Sequence, residues 1–259
     1  MIRCDDLMNG YRIYQDTEMF CFGIDAVLLA HYPALFAGDR VLDLGTGFAP
    51  IPLILHAVAK KAGLTGQPEK PFHITGLEIQ ERAAEIAARS VSENGLASEI
   101  TITVGDIRKA GELFAPASFS LITCNPPYMK KGAGLLSEAA AVAIARTEIA
   151  CTLEDIVRES ARLLKMRGRL AMIHRPERLQ EICALLLRYG FQMKTLRFVQ
   201  PARDKAPTMV LFTAVRGGGP GTKVSPPLIV YGEDHRYTEE IIRIYGGDTV
   251  SGGDTDRKP

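Results

Sequence analysis

Short apolar runs at residues 41–44, 72–77, 100–104 and 119–124 are rich in Val, Ile, Leu and Phe and are bounded by polar or glycine residues, which predicts buried strands. Between them the period changes. Ile51, Leu55 and Val58 share one face of a helix over 51–61, and residues 81–94 form an amphipathic helix closed by Gly95. The pattern continues with a helix over 153–165, a strand over 168–173, a helix over 177–189 closed by Gly190, and strands over 192–199 and 209–215. The last two are too close for an intervening helix and read as an antiparallel pair. Strands alternating with helices imply a mostly parallel sheet covered on both faces. Residues 1–37 read as short strands and one helix packed on this core, and residues 38–216 as the main domain. The run Gly-Gly-Gly-Pro-Gly at 217–221 is a flexible break, after which 228–231 and 237–245 are expected to fold back as a small hairpin and helix. Residues 246–259 are expected to be disordered.

The chemistry sits where these strands end. Gly45 and Gly47 make a tight turn after the first strand and let the backbone approach a ligand. A strand–glycine turn–helix unit is expected to present free N–H groups there. Pro50 suits the first helical turn, but the strict G-x-G-x-x-G pattern is not met, which disfavours a nicotinamide dinucleotide. Glu78 ends the second strand, where an acid commonly takes ribose hydroxyls. It lies beyond the usual spacing of roughly 20 residues because a Gly- and Pro-rich loop intervenes at 63–71. Asp106 follows the third strand, and Asn125-Pro126-Pro127-Tyr128 follows the fourth. The prolines stop that strand, and a residue before proline is held extended. Asn125 therefore presents its amide at a strand tip, where open α/β sheets bind ligands. Taken singly, each tip is a turn or a cap. Four in succession are harder to dismiss.

In this order, the DLGTG turn at 43–47, the LE tip at 77–78, the GD tip at 105–106 and NPPY at 125–128 resemble a class I S-adenosylmethionine-dependent methyltransferase, within it the amino-methyltransferases that act on a planar nitrogen. The segments 9–15 and 19–30 further resemble the bacterial tRNA1(Val) adenine-37 N6-methyltransferases. The likeness runs from about residue 5 to about 245. It implies an α/β, Rossmann-like fold with a mostly parallel seven-stranded sheet, helices on both faces and a final antiparallel strand. It also implies S-adenosyl-L-methionine as cofactor, with Asp43, Gly45, Thr46 and Gly47 at its methionine end, Glu78 on the ribose, and Asp106 with Ile107 at the adenine. Asn125 would touch the substrate nitrogen, with Pro126, Pro127 and Tyr128 shaping its slot. Family members often carry a further small polar residue and glycine in the turn, and here Phe48-Ala49-Pro50 stands instead.

An exocyclic amine is a poor nucleophile because its lone pair is delocalised. Acceptance of its two N–H groups by the Asn125 side chain and the Pro126 carbonyl would free that pair, with Tyr128 stacked on the base and no metal required. An unpaired loop adenine of an RNA is the cheapest base to extract.

Composition narrows the setting. No stretch reaches 18 apolar residues and no charged-then-apolar leader opens the chain, so no membrane partner is expected. The five cysteines (4, 21, 124, 151, 183) lack metal-site or disulfide spacing and fit a reducing cytoplasm, with Cys124 a small buried hydrophobe. Net charge is only +1, yet residues 162–216 hold twelve Lys or Arg against three acids, which suits either a phosphate backbone or a solvated face. Arg12, Lys130 and Lys131 are expected near the pocket. Three rivals remain: a protein glutamine methyltransferase, whose amide poses the same problem, a DNA amino-methyltransferase, and a non-catalytic RNA-binding module.

Overall fold

A computed structural model describes residues 1–7, 10–126 and 151–246. The chain opens with an antiparallel hairpin of β1 (Ile2–Asp6) and β2 (Arg12–Asp16). Helix α1 (Ile24–His31) leads to β3 (Arg40–Leu44), α2 (Pro50–Lys61), β4 (His73–Glu78), α3 (Glu81–Glu93) and β5 (Ile100–Val104). A single-turn helix α4 (Ala110–Leu113) precedes β6 (Phe119–Cys124). Then come α5 (Leu153–Leu163), β7 (Leu164–His174), α6 (Leu179–Arg188), β8 (Phe191–Gln200) and β9 (Met209–Arg216). Two short strands, β10 (Lys223–Val224) and β11 (Leu228–Ile229), and helix α7 (Glu239–Ile244) complete it.

The main sheet runs β5-β4-β3-β6-β7-β9-β8, parallel except for β9, which is antiparallel to both neighbours. This is the expected seven-stranded, Rossmann-like α/β sheet. Both short strands add to β8 in parallel, so the segment after the glycine break extends the sheet. Period-two alternation sends side chains to opposite faces. Val41, Leu121, Ala171 and Ile173 join α1, α2 and α3 in one apolar core. Leu42, Leu44, Ile122, Leu170 and Met172 join α5 and α6 in the other.

Three expectations change. The helix expected to reach residue 165 ends at Leu163, and β7 starts at once, because Leu163 and Leu164 are both fully buried. The β6–β7 register jumps between Phe119↔Leu164 and Leu121↔Arg169, and the extra residues include Arg167 at a positive φ of 65°. The hairpin expected at 228–245 is reduced to one bridge, Tyr231↔Tyr237, since Leu228 and Ile229 bond to β8 instead. The expected loop-plus-helix over 129–149, and the tail beyond residue 246, lie outside the described residues.

Candidate active site

Register sets the four strand tips in a row. Leu44 pairs with Leu77 on one side and Cys124 on the other, and Glu78 pairs with Val104. Gly45, Glu78, Asp106 and Asn125 therefore stand along one carboxyl edge, astride the point between β3 and β6 where strand order reverses. That is where open α/β sheets bind ligands.

The turn after β3 is held from within. Gly45 and Gly47 take positive φ values of 71° and 56°. The N–H groups of Gly45 and Thr46 both donate to the Leu77 carbonyl, at 2.9 and 3.0 Å. Gly47 N–H donates to Glu78 Oε2 at 2.9 Å, and Gln80 N–H to Oε1 at 3.0 Å. The free N–H groups expected here are thus spent internally, and Pro50 and Pro52 at the start of α2 have none to offer. An anion finds few donors at this turn. The departure at Phe48-Ala49-Pro50 is accommodated by Ala49 itself, which takes a left-handed φ of 64° while fully buried. Gly76 in β4 was not singled out from the sequence, yet a Cβ there would lie 2.8 Å from Thr46 Cγ2 and 2.9 Å from its Oγ1. The missing side chain is the notch that seats Thr46.

Asp43 is wholly buried in β3. The Thr123 hydroxyl donates to Oδ1 at 2.6 Å, and Oδ2 has no hydrogen-bond partner. Burial pushes this carboxyl up to about 7, against the pull of the Thr123 hydroxyl and the nearby Thr46. Glu78 is buried as well. Asp106 caps the short turn over 107–109 through the Arg108 N–H at 2.9 Å, and the Arg108 guanidinium also grips it. Those bonds hold the Asp106 carboxyl below its ordinary value. Ile107 is half-buried, with Cδ1 facing Gly45. Ile79, next to Glu78, is 49% exposed, an apolar side chain left on this rim that the sequence reading passed over.

At the β6 tip, Asn125 Oδ1 is buried and has no hydrogen-bond partner among the described residues, and Pro126 behind it is buried. An unsatisfied buried acceptor costs about 1–3 kcal/mol, so its retention needs a reason. Cys124 is buried, and desolvation raises its thiol well above the ordinary range, which leaves it inert. His174 ends neighbouring β7, where burial lowers it to about 4 and keeps it neutral. Pro127, Tyr128, Lys130 and Lys131 lie outside the described residues.

Two expectations about basic residues fail. Arg12 N–H binds Asn94 at the carboxyl end of α3, far from the strand tips. The basic run over 162–216 forms no single face. Arg169 pairs with Asp39 at the amino edge of the sheet, Arg188 with Glu154, Arg178 with Glu181 and Arg197 with Glu240. A linear cluster split between sheet ends by antiparallel β9 is not a spatial one.

Among the described residues, no group of three His, Cys, Asp or Glu could hold a metal, and no helix is long and apolar enough to cross a membrane. The strand order and the acid- and glycine-tipped edge define the fold of the Rossmann-like methyltransferases. The chain belongs to the family of the methyltransferase domain, whose model matches residues 35–198. It is 27% identical over 234 residues to the tRNA1(Val) (adenine(37)-N6)-methyltransferase of Tolumonas auensis, covering 90% of this chain and 92% of that one. It is 28% identical over 231 residues to the Porphyromonas gingivalis protein of the same name, covering 86% of each. A solved O-methyltransferase-like structure from Agrobacterium tumefaciens superposes with a TM-score of 0.62 at 24% identity, over 86% of this chain and 96% of that one, and shares the fold.

Proposed function

We propose that this methyltransferase uses S-adenosyl-L-methionine to methylate the exocyclic N6 of an unpaired adenine in tRNA, the adenine at position 37 of a valine tRNA. The observation that carries the reading is Asn125 Oδ1, a buried acceptor with no donor among the described residues, standing beside the glycine turn. The relatives named above act on that nucleotide and match nearly the whole chain.

The residues at the edge suit the cofactor. Asp43, Glu78 and Asp106 make the edge acidic, and the turn offers few N–H donors, so a cationic ligand fits and a pyrophosphate does not. Asp43 Oδ2 is an orphaned acceptor in this acidic cradle, and an incoming cation favours its ionised form. Asp43, Gly45, Thr46 and Gly47 would hold the methionine end, Glu78 the ribose, and Asp106 and Ile107 the adenine, with Ile79 covering it. When bound, S-adenosyl-L-methionine supplies a methyl group on a sulfonium.

The chain's own part is to prepare the acceptor nitrogen. Asn125 Oδ1 and the Pro126 carbonyl accept its two N–H hydrogens and draw it towards tetrahedral geometry. These oxygen dipoles then face the positive charge that grows on the nitrogen, and they do so without reorganising. Pro126 fixes the backbone between the two acceptors. Pro127 and Tyr128 would complete the slot. The acceptor base must leave its stack to reach it, which a loop base does most cheaply. An RNA substrate places the work in the cytoplasm.

Tritiated methyl transfer from S-adenosyl-L-methionine into tRNA lacking the modification, release factor and duplex DNA tests the reading. Label in tRNA recovered as N6-methyladenosine supports it. Label in the release factor moves the acceptor to a glutamine, and label in duplex DNA moves it to a DNA base. The Asn125→Ala variant should lose roughly 100- to 1,000-fold in transfer while binding the cofactor as before. Near wild-type transfer would refute the role given to the amide.

A further inference from the structure

Three tyrosines stack at the far end of the same edge. The rings of Tyr231 and Tyr237 lie 5.3 Å apart and 16° from parallel, and those of Tyr237 and Tyr245 lie 5.7 Å apart and 15° from parallel. Tyr237 is thus the middle ring, and Tyr231, 40% exposed, ends the stack. The stack is anchored from below. Leu228, Val230 and Ile241 are buried in the core shared with α1, and Tyr237 and Tyr245 pack against that core. Thr238 caps α7, and the Tyr231 N–H donates to the Pro201 carbonyl at 2.8 Å.

Register fixes where the stack faces. Residues 228 and 229 pair with Val199 and Gln200, the last residues of β8. These lie opposite Met209, and Val210 pairs with His174 at the tip of β7. Tyr231 therefore stands on the edge that carries Asn125. Strands β6 and β11 are separated by four strand spacings, roughly 19 Å. Two cations stand in the segments that meet there: Arg203 in the loop that follows Pro201, and Arg236 before Tyr237. Both are exposed and neither has an acid partner among the described residues. The acids Glu233 and Asp234 in the intervening turn offset them, so the local charge is near neutral.

We infer that Tyr231 is a stacking platform for a second unpaired base of the RNA substrate, outside the methylated nucleotide. The inference rests on the proposed tRNA reading and deepens it. A rigid, pre-stacked ring beside near-neutral charge recognises a base by its π-face, and every base has one. Such a contact adds affinity without counterion release, so it differs in kind from a phosphate contact.

The full chain is assayed for methyl transfer into an unmodified tRNA transcript over a range of salt concentrations. The Tyr231→Ala variant should raise the KM for tRNA about tenfold, the scale of one stacked base, with kcat, cofactor affinity and the salt slope of KM unchanged. Tyr231→Phe keeps the ring and should restore the wild-type KM. The chain contains no tryptophan. Tyr231→Trp therefore introduces a lone indole, whose fluorescence should be quenched as tRNA is added. A KM for Tyr231→Ala within twofold of wild type, or an indole indifferent to tRNA that the enzyme methylates, overturns the inference. No methylation of tRNA by the wild type overturns the substrate reading instead.

Discussion

Asp39, just before β3, and Asp43, near its carboxyl end, are both buried and four residues apart. Their surroundings differ completely. Asp39 takes Arg169 Nη2 on both oxygens at 2.7 and 2.6 Å, the Ser120 hydroxyl at 2.6 Å and the Phe36 N–H at 2.8 Å. Arg169 also reaches the Ala34 carbonyl and covers the Phe36 ring at 4.5 Å. Asp43 has one hydroxyl and an orphaned oxygen. At the amino edge a buried charge is satisfied by its own chain, and the result is a clasp between the segment before β3 and strands β6 and β7. At the carboxyl edge a buried carboxyl is left incomplete, which is the gap the proposed cofactor role assigns to a ligand.

The sharpest way to break this contrast is Asp39→Ala. It strands the Arg169 guanidinium, whose side chain is only 12% exposed. Breaking a buried pair costs about 3–5 kcal/mol, which at roughly 2–4 °C per kcal/mol lowers the Tm by about 10 °C. Cofactor affinity of the folded protein should stay as it was. A melt like wild type would show that the clasp carries no weight.

Asp43→Asn should do the reverse. The folded carboxyl titrates at about 7 and the unfolded one near its ordinary 3.8, so the folded state holds a proton that the unfolded state has lost across that window. Stability from this group is full below pH 4 and is lost as pH rises to 7. The asparagine removes the penalty, so the variant should gain about 4 kcal/mol at pH 8 and almost nothing at pH 4, while binding the cofactor more weakly. Thermal melts of the free proteins across that range decide it. Parallel pH profiles would mean the carboxyl is not strained.

Gly76→Ala sharpens the comparison least; its methyl meets the turn at Thr46 and, at 3.0 Å, Ile102 Cδ1 of β5. Its methyl collides with Thr46, so overpacking should cost about 1–3 kcal/mol and lower cofactor affinity, with the amino-edge clasp intact. Calorimetric titration with S-adenosyl-L-methionine reads the second effect, and unchanged affinity would mean the notch does not position the turn.

The strands and their tips were legible because apolar runs ending in Gly, Glu, Asp or Asn-Pro carry their meaning locally. Gly45, Glu78, Asp106 and Asn125 stand side by side as the pattern implied. What was not legible depends on distant partners. Nothing near Asp39 points to Arg169, 130 residues away. Gly76 reads as one more strand residue until Thr46 is seated against it. The turn N–H groups looked available because the Leu77 carbonyl that accepts two of them belongs to another strand. The basic run does not make one surface, because β8 and β9 carry sequence neighbours to opposite ends of the sheet.

The pairing of β10 and β11 with β8 also has a consequence for the order in which the protein is made. Val199 is made, and emerges, before its partner Leu228. At roughly 5–20 residues per second, the intervening stretch takes a few seconds to emerge. For that interval the outer side of β8 shows a row of unpaired backbone groups, open to any passing strand. A nascent chain stalled near Gly217 would keep that row uncovered. The later-made segment over 223–229 is thus a seal as well as a platform, and truncations that end at the glycine break should be recovered as aggregates, although the methyltransferase-family match itself ends at residue 198.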